Sequence, residues 1–114
     1  MRTTVSVEMS PAVRVSLAAQ FALLADPLRL RIVESLAREQ LCTCHLIEIT
    51  GAKQTTVSHH LRLLRHAGVV VSQAEGRFTW YRLSPGAFAD TWQRLQGMVL
   101  SSESAVRLRP ACAV

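Results

Sequence analysis

One short stretch of the sequence has the residue types of a metal site: Cys42-Thr43-Cys44-His45. Thiolate sulfur and imidazole nitrogen are ligands that soft and borderline metal ions prefer. On a regular helix, residues two apart point about 200° away from each other, so both sulfurs reach one ion only where the helix start is irregular or distorted. Helix spacing instead places Cys42 beside His45. It also places Cys44 beside Glu48. The alternative is that one cysteine is a small core residue and that His45 is an exposed helix residue.

A second group of polar and basic side chains lies at the start of a helical pattern. Val57, Leu61 and Leu64 repeat at three and four residues, which predicts a helix from about residue 54 to 67. Short hydrogen-bonding side chains at the exposed start of such a helix can reach base edges in the DNA major groove, while cations contact phosphates. The alternative is an ordinary solvated helix face. The candidate DNA-binding residues of this stretch are Lys53, Gln54, Thr55, Thr56, Ser58, His59 and Arg62.

A β-hairpin is predicted directly after that helix. Residues 69–71 are three valines, Glu75-Gly76 is a turn dipeptide, and residues 78–83 alternate between apolar and polar. Arg77 follows the tip of this hairpin, where an arginine suits a narrow minor groove. We therefore add Arg77 to the candidate DNA-binding residues.

The other elements are predicted to be helices. Asp26-Pro27 supplies an N-cap carboxylate and a proline at the first helical position, and Gly51 suits the left-handed end of a short third helix. A short turn containing glycine between two helices is typical of a helix-turn-helix. The predicted helices are residues 11–24, residues 27 to about 38–40, residues 41–50, residues 54–67 and a last helix opened by Pro85-Gly86.

The pattern predicts a mainly α fold with a β-hairpin wing, a winged helix-turn-helix of about five helices. We expect a flexible N-terminal arm over residues 1–10, a DNA-binding and dimerisation domain over residues 11–102, and a C-terminal tail over residues 103–114. The first and last helices carry more apolar surface than the core of such a domain needs. This surplus favours a homodimer through these two helices, and ordinary core packing is the alternative. The apolar residues concerned are Leu17, Phe21, Phe88, Trp92, Leu95 and Val99.

Composition favours a small DNA-binding protein. The chain has 114 residues, enough for one domain, and its 13 basic and 8 acidic residues give a net charge of +5. No apolar run approaches the roughly 20 residues of a membrane-spanning helix, and residues 1–10 lack the apolar core of a signal peptide. We expect a cytoplasmic protein with double-stranded DNA and no membrane as its partner. No catalytic constellation stands out, so we do not expect an enzyme, although a thiol or redox protein acting through Cys42 and Cys44 is an alternative.

Four segments of the sequence resemble the ArsR/SmtB family of bacterial metal-sensing repressors. The resemblance covers roughly residues 12–100. It implies a winged helix-turn-helix homodimer that binds an operator until a metal or metalloid ion releases it. It also implies that the Cys42-Thr43-Cys44 element matches a thiolate site at the start of the third helix. The four segments are Leu24 to Ile32, Leu41 to Leu46, Thr56 to Gly68, and Glu75 to Tyr81.

The sequence departs from the family pattern at the ligands. His45 replaces the usual acidic residue, and Ile47 occupies the position of the third cysteine of arsenite-type members. The N-terminal arm has no cysteine or histidine, and Trp92 replaces a histidine of the zinc-type set. Cys112 is the remaining thiol. We therefore take Cys42, Cys44, Cys112 and His45 as candidate ligands.

The sequence does not name the ion, because the preferred ion depends on which of these ligands bind it. Three thiolates favour As(III) or Sb(III), and adding His45 favours Cd(II), with Zn(II) or Ni(II) as further options. The alternative function is a winged-helix regulator that responds to another metal, or to a protein co-regulator, without using the cysteines.

Overall fold

The computed structural model describes residues 8–112, which form five α-helices and one three-stranded antiparallel sheet. The predicted flexible arm therefore lies mostly outside the described residues. No helix in the described range is long and apolar enough to cross a membrane. The elements in chain order are α1 (Pro11–Leu24), α2 (Pro27–Leu36), β1 (Leu41–Cys42), α3 (Thr43–Thr50), α4 (Gln54–His66), β2 (Val70–Glu75), β3 (Phe78–Leu83) and α5 (Ala89–Ser102).

The first two helices begin where their capping residues predict. The Ser10 hydroxyl accepts a hydrogen bond from the N–H of Val13 at 3.2 Å. The Asp26 carboxylate accepts hydrogen bonds from the N–H groups of Leu28 and Arg29 at 2.9 and 3.0 Å, and Pro27 begins α2. These side chains satisfy backbone donors that have no partner inside the helix.

A short turn joins α3 to α4 and confirms the predicted helix-turn-helix. Gly51 has φ +70°, a left-handed conformation that glycine adopts without steric cost, and it ends α3. Leu46 of α3 and Val57 of α4 are fully buried in the same core, so the two helices pack firmly together. Ile49, three residues after Leu46 in α3, is 37% exposed and contributes less to this packing.

The sheet contains a strand that the sequence analysis missed. β2 and β3 form the predicted hairpin, with Gly76 at φ +62° in its turn. Leu41 and Cys42 were expected to begin the third helix, but they are extended and pair with β3 in the sheet order β1-β3-β2. Both side chains are buried, at 4% and 3% exposure, which explains why this segment packs as an edge strand before α3 begins at Thr43.

The last helix begins later than predicted, at Ala89 rather than at Pro85-Gly86. Phe88 precedes the helix and packs against the core, so it does not share the outward face of α5. Leu17 of α1 is also buried within the chain, at 8% exposure. The large side chains that α1 and α5 leave exposed are Val15, Phe21, Trp92, Val99 and Leu100.

Candidate metal centre and nucleic-acid interface

The structure brings Cys42, Cys44 and His45 together. The two Sγ atoms lie 2.7 Å apart, and the Sγ of Cys42 lies 3.2 Å from Nδ1 of His45. One ligand atom from each residue falls within 4.8 Å of the others. Two thiols and an imidazole in this space have the donor chemistry of a site for a thiophilic ion.

The convergence of the sulfurs follows from a change of backbone conformation at Cys42. This residue has φ −91° and ψ 168°, so it is extended, whereas Thr43 already begins α3. The 200° divergence expected on a regular helix therefore does not arise. The two thiols meet at an irregular helix start, which is one of the two arrangements expected from the sequence, and they do so without any unwinding of α3.

His45 is held in place by the backbone of Cys42. Its Nδ1 accepts a hydrogen bond from the Cys42 N–H at 3.2 Å, which satisfies a donor at the start of α3. To bind an ion through Nδ1, His45 would give up this hydrogen bond, whereas a thiolate sulfur has several lone pairs and can bind an ion while it keeps its hydrogen bonds from backbone N–H groups. The two thiols are therefore the better ligands, and His45 is the auxiliary one.

The two thiols differ in their tendency to ionise. Burial favours the neutral thiol of Cys42, but hydrogen bonds with the Cys44 thiol and with backbone N–H groups of α3 lower its pKa overall. The same contact with Cys42 raises the pKa of Cys44. Cys42 is thus the buried and more acidic thiol, and Cys44 is the exposed thiol beside it.

The cysteine pair lines two cavities. One is an apolar cavity of about 280 Å³, lined by the cysteines, His45, Phe78 and Trp80. The other is a more polar cavity of about 350 Å³. Its wall combines the cysteines with candidate DNA-binding residues of α4 and of the wing. These are Gln54, Ser58 and Arg77.

The fourth candidate ligand, Cys112, and the predicted helix neighbour of Cys44, Glu48, lie apart from this group. Cys112 is exposed on the segment after α5, where residues 105–112 form no helix or strand, and it is not among the residues that converge with Cys42. Glu48 is exposed and is likewise outside the cluster, although helix spacing had paired it with Cys44.

The candidate DNA-binding residues form one polar surface opposite the buried face of α4. Val57, Leu61 and Leu64 are buried, as predicted, and Lys53 is the N-cap of the helix. Thr56 and Ser58 are half-buried at the edge of this surface. The exposed members are Lys53, Gln54, Thr55, His59, Arg62 and, on the wing, Arg77.

Two aromatic residues of this region escaped the sequence analysis. Phe78 and Trp80 alternate along β3, so both face the thiols. The rings of His45 and Trp80 lie 5.6 Å apart, tilted by 53°. The alternation of side chains along β3 placed these two residues on one face of the strand. What that face packs against could not be predicted, because β1 was not predicted.

This chain is similar to known proteins in both sequence and fold. The pattern of the "bacterial regulatory protein, arsR family" matches residues 26–72. The transcriptional repressor SmtB homolog of Synechocystis is 42% identical over 64 residues, which are 56% of this chain and 48% of that protein. The arsenical resistance operon repressor of Staphylococcus aureus is 32% identical over 84 residues, which are 74% of this chain and 81% of that protein.

A solved structure agrees with these sequence matches. The ArsR-like transcriptional regulator from Rhodococcus superimposes with a TM-score of 0.70 at 25% identity, covering 81% of this chain and 87% of that one. Fold and site thus define a winged helix-turn-helix regulatory protein. The chain belongs to the arsR family of bacterial regulatory proteins, which confirms the resemblance and the expectation that it is not an enzyme. It spans about half the length of the Synechocystis relative.

Proposed function

We propose that this protein is a homodimeric transcriptional repressor that a thiophilic metal or metalloid ion releases from operator DNA. The observation that carries the proposal is the shared cavity: Cys42 and Cys44 line the same space as Ser58 and Arg77. A site that takes up an ion here is next to the surface that would read DNA. The names of two relatives, a transcriptional repressor and an arsenical resistance repressor, support the same function.

The DNA-binding part of the proposal rests on α4 and the wing. The exposed start of α4 carries Gln54, Thr55 and His59, side chains of the type that hydrogen-bond to base edges. Arg62 and Arg77 are exposed and can contact phosphates or the minor groove. The net charge of +5 favours encounter with DNA.

The ion-binding part rests on the donor set. Cys42 and Cys44 would hold the ion, with His45 as a third ligand once its hydrogen bond to Cys42 is broken. This set of two sulfurs and one nitrogen suits Cd(II), and Zn(II) or Ni(II) less well because they accept harder ligands. A set of three sulfurs, suited to As(III) or Sb(III), requires Cys112 from the tail of the same or the other subunit.

The homodimer rests on the surface that the isolated chain exposes. Large apolar side chains of the first and last helices face solvent: Phe21 of α1 and Trp92 and Val99 of α5 are 42%, 61% and 57% exposed. A partner chain that covers α1 and α5 would remove these side chains from water.

A panel of ions tests the proposal. The full chain is bound to a palindromic duplex selected from a random library, and As(III), Sb(III), Cd(II), Zn(II) and Ni(II) are added in turn while DNA binding is followed by fluorescence anisotropy. We expect release by As(III), Sb(III) or Cd(II) and none by Mg(II), the control ion. Failure of every ion would contradict metal sensing and favour a regulator that responds to another signal or to a partner protein.

A further inference from the structure

On the basis of the proposed function, we propose that Trp80 couples the thiol site to the wing, which is the hairpin of β2 and β3. Ion binding then withdraws Arg77 from DNA, while the contacts that α4 makes with DNA persist. Trp80 is then a positioning residue rather than a ligand. The wing is the moving part of the switch.

The backbone provides the first link in this coupling. β1 is two residues long, and its second residue, Cys42, is directly opposite Trp80 in the antiparallel pairing with β3. Two sulfurs that bind one ion in tetrahedral geometry, with metal–sulfur bonds of about 2.3 Å, lie farther apart than the 2.7 Å seen here. The shift of the Cys42 sulfur that ion binding requires therefore acts on the strand that carries the wing. Residues directly opposite in a sheet are about 5 Å apart. A displacement of Cys42 therefore reaches Trp80 without passing through any other residue.

Side chains provide a second, independent link. The ring of Trp80 lies against the ring of His45, with centroids 5.6 Å apart. Because His45 also accepts the hydrogen bond from the Cys42 N–H, rotation of His45 toward an ion would break that bond and change the surface on which Trp80 rests. Phe78, two residues nearer the wing tip, lines both cavities that contain the thiols.

The two routes from the thiols to DNA differ in stiffness. The route to α4 passes through Leu46 and Val57, which are fully buried in the main core, and densely packed cores resist small displacements. The route to the wing ends in an exposed hairpin tip, where Phe78 is 55% exposed and Arg77 is also exposed. Elements with few buried contacts move at lower cost. A small displacement at Cys42 therefore moves Arg77 more readily than it moves α4.

The proposal is tested by asking which DNA contacts survive ion binding. Operator affinity is measured for the wild type, Arg77→Ala and Ser58→Ala, each without ion and with saturating Cd(II), at a salt concentration low enough to detect both states. In the ion-free protein, each substitution should weaken binding by about 5- to 150-fold. With Cd(II), the penalty of Arg77→Ala should fall below about twofold, because that contact is already lost, whereas the penalty of Ser58→Ala should persist. Equal penalties of Arg77→Ala in both states would overturn the proposal.

Substitutions in β3 test the role of Trp80 itself. The readout is the ratio of operator affinities without and with saturating Cd(II), expected to be about 5- to 150-fold in the wild type. Trp80→Leu should bring this ratio close to one, and Trp80→Phe, which keeps an aromatic ring against His45, should retain most of it. Gln73→Ala is the control: Gln73 is an exposed residue of β2 directly opposite Trp80, it lines neither cavity beside the thiols, and its substitution should keep the ratio. A ratio that survives Trp80→Leu, or that Gln73→Ala abolishes equally, would remove the coupling role from Trp80.

The two proposals fail in different ways. If Cd(II) and the other thiophilic ions do not release the wild-type protein, metal sensing itself is wrong. If the wild type is released and the Arg77→Ala penalty is unchanged, only the wing route is wrong. The Arg77 comparison changes an exposed side chain, so it remains decisive even if Trp80→Leu does not fold.

Discussion

The sulfurs of Cys42 and Cys44 lie 2.7 Å apart across the junction between a strand and a helix. Cys42 belongs to the sheet and Cys44 to α3, so a ligand that holds both would join two elements. The junction also makes the thiols unequal, because Cys42 is buried and Cys44 is exposed. An ion can thus reach Cys44 from solvent and then engage Cys42.

Removing both thiols should separate ion binding from DNA binding. We expect a Cys42→Ser, Cys44→Ser variant to bind operator DNA as the wild type does and to lose at least about 100-fold in affinity for Cd(II), because no thiolate ligand remains at the junction. The variant should stay on DNA when the ion is added. The measurements are thiolate-to-metal absorption and anisotropy. In the wild type, operator DNA should weaken ion binding by the same factor by which the ion weakens DNA binding. Release of the double variant by the ion would place sensing elsewhere in the chain.

The role of Cys112 is decided by deletion of residues 110–114. If Cys112 completes a three-sulfur site, the deletion should weaken As(III) binding by at least about tenfold and reduce the thiolate-to-metal absorption. Cys112→Ser should behave in the same way, and it controls for loss of the tail itself. Unchanged affinity in both variants would leave a site made by Cys42, Cys44 and His45 alone.

Substitutions on α4 should distinguish reading of bases from contact with phosphates. Ser58→Ala and His59→Ala should each weaken specific binding by about 1–3 kcal/mol at fixed salt, with little effect on unrelated DNA. Arg62→Ala should weaken binding across sequences and reduce the slope of log affinity against log salt by about one. Unchanged operator affinity in both Ser58→Ala and His59→Ala would show that α4 is not the reading element.

The dimer can be tested on the exposed face of α5. Trp92 is 61% exposed, and a charge there should oppose burial against a second chain. We expect Trp92→Glu to shift the protein from dimer to monomer in sedimentation velocity and to weaken operator binding, because two half-sites must be bound together. Leu30→Glu, at a residue of α2 that is 49% exposed, is the matched control and should remain dimeric. If the Trp92→Glu protein sediments as the wild type does, the exposed face of α5 is not the dimer interface.

Acid should destabilise the fold through His60. Burial lowers the pKa of His60 below its ordinary value of 6.5, and the charge of nearby Arg29 acts in the same direction, against the charge of Asp26. Nδ1 of His60 is buried with no hydrogen-bond partner among the described residues. A histidine with a lowered pKa contributes stability above pH 6.5 that is lost as pH falls through its folded pKa, because the unfolded chain takes up the proton first.

Urea unfolding at fixed protein concentration, at about pH 7.5 and about pH 5, measures this effect. His60→Gln should reduce the loss of unfolding free energy between the two pH values. His59→Gln, at the exposed neighbouring residue, should leave the loss as in the wild type. If both variants lose the same free energy as the wild type, the acid sensitivity does not arise at His60.

Local signals in the sequence predicted most of the fold. Asp26-Pro27, Gly51 and the spacing of Val57, Leu61 and Leu64 act on their own neighbours, so α2, the turn and α4 were identified correctly. β1 could not be predicted, because two residues have no periodicity and their partner strand lies some 40 residues away. Phe88 was misplaced for a similar reason: its packing against the core depends on tertiary contacts.

The candidate site was predicted by residue type but not by geometry. The pattern Cys42-Thr43-Cys44-His45 identified the donors, and helix spacing placed Cys42 beside His45. The contact between the two cysteines depends on extended backbone at Cys42, which follows from pairing with β3 rather than from the local sequence. The same pairing brings Trp80 to the site. Neither the contact between the two cysteines nor the position of Trp80 could therefore be predicted without β1.

The shortness of β1 has a consequence for access to the buried thiol. A strand of only two residues at the edge of a sheet is held by few interstrand hydrogen bonds, so fraying of β1 costs those bonds and the burial of Leu41 and Cys42 but leaves the rest of the domain folded. Such fraying would expose the Cys42 sulfur transiently at a free energy well below that of global unfolding. The rate at which the site captures a ligand is then set by how often the edge of the sheet opens, and amide exchange at Leu41 and Cys42 would report that frequency.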